Sequence, residues 1–244
     1  MDLFFGTRNP GKLAELRRLV AGLPVRVVSP DELDPPPPEV EEDGRTFAEN
    51  AEKKAVACAR ATGMHALADD SGICVDVLWG LPGVRSARWS EEQAPGLSGQ
   101  DRDRANNVKL LNALLGVPAE HRGAEYRAVL ALARPDGSLA ATVTGTCRGA
   151  IGTAERGTGG FGYDSIFVPG GPAAAPAAPP GPSFAPGQAS PPGRTMAEMS
   201  PGEKDAISHR GEAMRRMVPV IRNLAAGSAA PGPAPPFDKR RGGG

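Results

Sequence analysis

Two adjacent carboxylates, Asp69 and Asp70, follow the short apolar run 65–68 and precede Ser71-Gly72. The run reads as the end of a buried strand, where charge is costly unless something offsets it. A divalent cation is one offset, since Mg²⁺ takes one or two carboxylates and leaves its other positions to water and phosphate oxygens. The competing reading is an Asx-type turn, with Asp70 and Ser71 bonding their own backbone before a second apolar run at 73–77.

Four other stretches carry chemistry. Gly6-Thr7-Arg8-Asn9-Pro10-Gly11-Lys12 lies between a strand candidate at 3–5 and a helical pattern over 12–21. It delivers a lysine to a helix N-terminus, where free N–H groups and the helix dipole favour a phosphate. The loop nearly matches the P-loop pattern, but Leu13 replaces the Mg²⁺-binding hydroxyl and Pro10 removes a donor. An ordinary strand-to-helix turn with a surface lysine is the plainer alternative. Glu41 and Glu42 precede a helix that starts at Thr46, where Thr46 and Glu49 have capping-box spacing, and runs to about 62. Ala48, Ala51, Ala55, Cys58 and Ala59 form its apolar face, and at most one of Lys53 and Lys54 can reach a cleft beside it. Gly157-Thr158-Gly159-Gly160-Phe161-Gly162-Tyr163-Asp164 offers aromatic stacking platforms on a glycine-rich loop, or a hairpin turn with two core aromatics. Ser200-Pro201-Gly202-Glu203 starts a helix with Lys204 in its first turn. Lys204, His209 and Arg210 do not share a face of one straight helix, so Ser208 is expected to cap a second one that presents His209 and Arg210. Taken singly, His209 reads equally as a structural histidine and Arg210 as a surface charge.

The positioning elements are strands at 25–28, 126–133 and 140–147, the last two joined by the turn Pro135-Asp136-Gly137-Ser138, and an amphipathic helix over 101–115. Lys plus Arg and Asp plus Glu are both 28 in 244 residues, which argues against a nucleic-acid polymer or an anionic membrane as the main partner. No apolar run approaches a transmembrane length, and the N-terminus lacks a signal-peptide pattern. Cys58, Cys74 and Cys147 contain no CxxC pair, and three buried thiols in a reducing cytoplasm is the expectation. Residues 169–194 hold nine prolines and five glycines, too little apolar side chain to bury, and are expected to be disordered, as is the tail 227–244. That leaves one domain over 1–226 interrupted by a long loop.

In this order, Thr7-Arg8-Asn9-Pro10-Gly11-Lys12, Glu41-Glu42 before Thr46-Phe47-Ala48-Glu49-Asn50-Ala51, Ala68-Asp69-Asp70-Ser71-Gly72, Gly159-Gly160-Phe161-Gly162-Tyr163-Asp164 and Ser208-His209-Arg210 closely resemble the inosine triphosphate pyrophosphatase family, in its bacterial dITP/XTP pyrophosphatase branch. The likeness covers about 3–168 and 195–224. It implies a homodimeric, cytoplasmic α/β protein with a long mixed sheet, flanking helices and a central cleft between two lobes. It also implies Mg²⁺-dependent hydrolysis of ITP, dITP and XTP to monophosphate and pyrophosphate, which cleanses the nucleotide pool.

Carried over by residue, the resemblance assigns Thr7, Arg8, Asn9, Pro10, Gly11 and Lys12 to the triphosphate, with Lys54 adding positive charge. Glu41 or Glu42 would hold Mg²⁺ with Asp70, Asp69 being a further candidate. Asp70 matches the proton acceptor, and Ser71 a substrate contact. Phe161, Gly162, Tyr163 and Asp164 would embrace the base, and Lys204, His209 and Arg210 would close over base and phosphates. Ser165 departs from the proline usual after Gly-Tyr-Asp, which should loosen the backbone there. The rivals are the related septum-inhibitor type of nucleotide pyrophosphatase, a P-loop kinase and a non-catalytic nucleotide-binding regulator. The Ser-His-Arg and Phe-Gly-Tyr-Asp motifs, Leu13, and intact Asp69, Asp70 and Lys12 argue against them in turn.

Overall fold

The computed structural model describes residues 1–170 and 193–227. Apolar residues dominate its central strands, and the sheet they form is mixed. In order along the chain, β1 (Asp2–Phe5), α1 (Pro10–Leu19), β2 (Arg26–Val28), α2 (Phe47–Thr62), β3 (His65–Val75) and α3 (Gly99–Ala113) alternate, and then come the strands β4 (Gly123–Ala133), β5 (Leu139–Ile151) and β6 (Phe167–Pro169) and the helices α4 (Pro201–Ile207) and α5 (His209–Gly227). The sheet order is β2-β1-β3-β4-β5-β6. β1 is parallel to both its neighbours, and every other pairing is antiparallel. This is the expected α/β architecture.

The long strands β3, β4 and β5 thread through three apolar clusters. On one face of the sheet, α1 and α5 cover Leu3, Phe5, Leu67, Leu130 and Leu132. On the other, the alanine stripe of α2 (Ala51, Ala55, Ala59) packs on Phe4, Ala66, Ala68 and Ala131. Small residues facing each other let helix and sheet approach closely. Further along the strands, Ile73, Val75 and Tyr126 join Leu110 and Leu114 of α3, with Tyr163, Ile166 and Phe167, in a third cluster. The first two clusters make one lobe and the third makes the other. The seam between them crosses β3 at Asp69, Asp70, Ser71 and Gly72.

The turn of the competing reading, at Ser71-Gly72, is not formed. β3 runs straight through it, because β4 supplies a continuous antiparallel ladder, with Asp69 opposite Leu130, Asp70 opposite Val129 and Gly72 opposite Arg127. Gly72 serves a close approach instead. A Cβ there would overlap Ser86 Oγ and lie 2.5 Å from the carbonyl oxygen of Gly83. Ser86 cannot retreat cheaply, since its Oγ accepts from Ile73 N at 2.9 Å and donates to Gly83 O at 2.6 Å. Gly72→Ala should therefore destabilise the protein by about 1–3 kcal/mol through overpacking. A shift of the urea midpoint at unchanged slope would show it, and an unshifted midpoint would refute it.

Two boundaries differ from expectation. Pro169, counted with the disordered stretch, ends β6 on the sheet edge, where its missing N–H costs no ladder bond. Arg194 pairs with Glu203 at 2.6 Å. The rest of the expected disorder, 171–192 and 228–244, lies outside the described residues. All three cysteines are free thiols, but Cys74 is half-buried.

Candidate active site

Side chains alternate across a strand with period two, so the adjacent carboxylates of β3 point to opposite faces. Asp69 faces α1 and α5. Lys12 Nζ lies 3.0 Å from its Oδ2, Arg210 Nε donates to the same oxygen at 3.2 Å, and Ser71 Oγ donates at 3.3 Å. Burial opposes its ionisation, but Lys12, Arg210 and Lys54 outweigh that and hold the carboxyl well below the usual carboxylate range. Asp69 is thus an anchor for cations.

Asp70 faces α2. Its Oδ2 accepts from Asn50 Nδ2 at 2.9 Å and its Oδ1 from Ser71 N at 2.9 Å. Among the described residues it forms no ion pair. Burial pushes its carboxyl up, Glu42 adds to the shift, and Lys54 with Asn50 offsets only part. Asn50 and Lys54 are one helical turn apart on α2, so both reach β3. Lys54 Nζ donates to the Asp69 carbonyl oxygen and to Glu42 Oε1, each at 2.6 Å. Lys53 stays exposed, paired with Asp43 at 2.6 Å. Of the two candidate acids, the structure brings Glu42 towards this face, and Glu41 is exposed.

The N-terminal loop is not a P-loop cradle. Asn9 caps α1, its Oδ1 accepting from Gly11 N at 2.9 Å and Lys12 N at 3.2 Å, and its carbonyl oxygen accepting from Leu13 N at 3.1 Å. Those N–H groups are spent on the cap. Thr7 Oγ1 accepts from Asn9 N at 3.2 Å, while exposed Arg8 pairs with Glu39 at 3.3 Å. Pro10 opens the helix at its first position, where no N–H is needed. Gly11 lets Phe161 close in, because a Cβ there would lie 2.5 Å from the ring.

Ser208 breaks the C-terminal segment as its spacing predicts. It ends α4, and its Oγ accepts from Gly211 N at 3.0 Å, so α5 opens with His209 and Arg210. Lys204 Nζ lies 2.6 Å from Asp164 and 2.8 Å from Glu15. Arg210 also pairs with Glu15, and its Nη2 donates to Ser71 Oγ at 3.0 Å. The Phe161 ring lies beneath these two cations, 4.5 Å from Lys204 Nζ and 5.5 Å from the Arg210 guanidinium carbon. Asp164 Oδ2 accepts from Phe161 N at 2.9 Å, and Gly162 N donates to Asp103 at 2.7 Å. Ser165 adds a tie where looseness was expected: its Oγ accepts from Asn107 at 3.0 Å and donates to Glu155 at 3.1 Å. His209 stacks flat on Tyr126, with ring centroids 4.5 Å apart. Burial, Arg210 and Lys204 lower its pKa well below the usual histidine value, so the imidazole is neutral, and its buried Nδ1 has no partner.

Two cavities meet at Lys12. One, about 610 Å³, is lined by Thr7, Arg8, Lys54, Glu42 and Glu39. The other, about 580 Å³, is lined by Phe161, Tyr163, Asp164, Lys204, His209 and Arg210, with Arg102, Asp103 and Asn106 of α3. The charged cavity suits phosphates, and the aromatic one suits a planar base. Among the described residues, no three His, Cys, Asp or Glu side chains cluster as a self-sufficient metal site, and no helix is long and apolar enough to cross a membrane.

Sequence reasoning brought most of these groups together but passed over four. Glu15 holds Lys204 and Arg210 and lies three residues after Lys12 on α1, a spacing that puts them on neighbouring positions. Asn50 sat inside a recognised motif without a role. Tyr126 and Asp103 carried no local signal, since each meets the site only through pairing of distant segments.

The profile of the Ham1 family matches residues 3–220. A dITP/XTP pyrophosphatase of Anaeromyxobacter dehalogenans is 57% identical, with 93% of this chain and 100% of the relative covered. One from Streptomyces coelicolor is 46% identical, covering 91% and 98%. Among solved structures, a HAM1 protein from Coxiella burnetii superposes with a TM-score of 0.70 at 31% identity, covering 91% of this chain and 99% of that one. A nucleoside-triphosphatase, also described as a dITP/XTP pyrophosphatase, from Mycobacterium abscessus gives 0.61 at 40% identity, covering 90% and 100%. With the family profile spanning both lobes and the segments that flank the long loop, this chain belongs to the Ham1 family.

Proposed function

We propose that this protein hydrolyses the α–β phosphoanhydride of non-standard purine nucleoside triphosphates (ITP, dITP and XTP), releasing the monophosphate and pyrophosphate and clearing such nucleotides from the pool. The names of its relatives support the substrate class. The observation that carries the chemistry is Asp70, a buried carboxylate with no ion pair among the described residues, which is held by Asn50, one helical turn from the Lys54 of the cationic cavity, and by the backbone of Ser71, which lines the aromatic one.

Mg²⁺ dependence fits the donor set. Asp70 is pushed towards its neutral form by burial and by Glu42, a penalty that a divalent cation relieves, and Mg²⁺ needs few protein ligands. Asp70 and Glu42 would hold it, and when bound it would supply charge neutralisation at the phosphates. Asp70 orients the attacking water and accepts its proton. Lys12 and Lys54 neutralise phosphate charge from two elements, where preorganised cations contribute most to phosphoryl-type transfer. Phe161 stacks on the base, and donors of Lys204 and Arg210 face its 6-oxo group. An adenine amino group in that place would leave them unpaired. The resemblance also supports a homodimer in the cytoplasm, and exposed Trp79 and Leu81 offer apolar surface for a subunit contact.

Product analysis with ITP, XTP, GTP and ATP in Mg²⁺ tests the reading. Monophosphate and pyrophosphate from ITP and XTP, with slow turnover of ATP, is the expected result. Diphosphate with orthophosphate, or no turnover of any purine, would overturn it.

A further inference from the structure

The aromatic cavity holds four cationic side chains, and three are committed. Lys12 pairs with Asp69, Lys204 with Asp164 and Glu15, and Arg210 with Asp69 and Glu15. The fourth is Arg102, at the end of the first turn of α3. It lines the same cavity and is half-buried, its Nε is buried with no hydrogen-bond partner, and among the described residues it forms no ion pair. The neighbouring Asp103 carboxylate accepts from Gly162 N. A buried N–H without a partner is costly, and a guanidinium has no acceptor capacity, so only an acceptor or an anion satisfies it.

We propose that Arg102 determines specificity at position 2 of the purine, selecting xanthine over guanine and hypoxanthine; this rests on the pyrophosphatase reading above. Arg102 reaches the cavity from α3, a different element from the α4 and α5 that carry Lys204 and Arg210, so separate donors can meet positions 6 and 2, which flank N1 of a purine. Xanthine carries a 2-oxo acceptor and loses a ring N–H proton near neutral pH, so its edge is an acceptor with negative charge. Hypoxanthine has only a C–H at position 2 and leaves Arg102 unsatisfied. Guanine presents a 2-amino donor to a donor, and that mismatch rejects GTP although GTP shares the 6-oxo group.

The test is kcat/KM for XTP, ITP and GTP on wild type, Arg102→Gln and Arg102→Lys, with calorimetric binding of XMP and IMP to each. The XTP-to-ITP ratio should fall about 10- to 100-fold in Arg102→Gln, the range for one hydrogen bond to a charged group. XTP turnover should fall further than ITP turnover, GTP turnover should rise, and Arg102→Lys should keep part of the preference because it keeps the charge. XTP and ITP falling in parallel, or an unchanged ratio, would overturn the assignment. If wild type splits neither nucleotide, the pyrophosphatase reading fails by itself. Arg102 is then judged on binding alone: XMP tighter than IMP in wild type, but not in Arg102→Gln, supports it, and equal binding refutes it.

Discussion

Asp70→Asn should lower kcat for ITP by about 10²- to 10⁴-fold, the range for loss of a general base, without a matching loss of stability. The amide keeps one oxygen for Asn50 and forfeits the bond from Ser71 N, a cost of about 1 kcal/mol. Against that, it removes a charge that the folded protein disfavours. The Asp70 carboxyl is raised by burial and by Glu42, so the folded state holds its proton more tightly than the unfolded chain. The contribution of this group is then fully present below the unfolded value of about 3.9 and is lost as pH rises through the higher folded value. Asparagine at 70 does not ionise, so the variant should gain stability relative to wild type as pH rises from about 4 towards neutrality. Single-turnover rates and urea melts on the same preparations separate the two effects. Retained turnover would remove Asp70 from the chemistry. Lost turnover with an unfolding free energy several kcal/mol lower would make it a structural residue.

How much of this site could be read from the residues depends on how local each contact is. The caps at Thr46, Ser200 and Ser208 are written in neighbouring residues, and so is the break between α4 and α5, because 100° per residue cannot put Lys204, His209 and Arg210 on one face. The face of α2 was legible for the same reason. The run through Ser71-Gly72 was not. Ser-Gly is ordinary turn chemistry, and what overrides it is β4, more than fifty residues later, whose ladder and alanines leave no room for a turn. That error hid the main property of the carboxylate pair, since a turn lets both acids point one way and a strand forbids it. Glu41 and Glu42 could not be told apart, because a loop has no periodicity to say which side chain turns inward. The stack of His209 on Tyr126 joins residues 83 apart in the chain, and no local pattern announces it.

The second large effect belongs to the other carboxylate. Asp69→Asn should cost about 3–5 kcal/mol of unfolding free energy at pH 7, the penalty for leaving buried charges without their partner. Asp69 is 1% exposed, with Lys12 at 3.0 Å and Arg210 at 3.2 Å. Arg210 keeps Glu15 when Asp69 is neutralised, but among the described residues Lys12 keeps no carboxylate, and burial already lowers its pKa. The pH dependence has the opposite sign to that of Asp70. With its folded pKa depressed, Asp69 contributes stability above the unfolded value of about 3.9 and loses it as pH falls towards the folded one. The gap between wild type and Asp69→Asn should therefore be constant from pH 7 to about 5 and close on further acidification. Urea midpoints across that range measure it, and a variant as stable as wild type at pH 7 would show that the cations hold themselves in place. Turnover should fall as well, through a higher KM, because Lys12 and Arg210 lose the group that aims them into the two cavities. The paired variants then test the fold itself. Two successive residues on one strand must face opposite ways, so one substitution should empty the site of its chemistry and leave the protein folded, and its neighbour should loosen the protein around an intact base. If both variants were equally stable and equally inactive, the two carboxylates would share one face, and β3 would not run through Ser71-Gly72 as a strand.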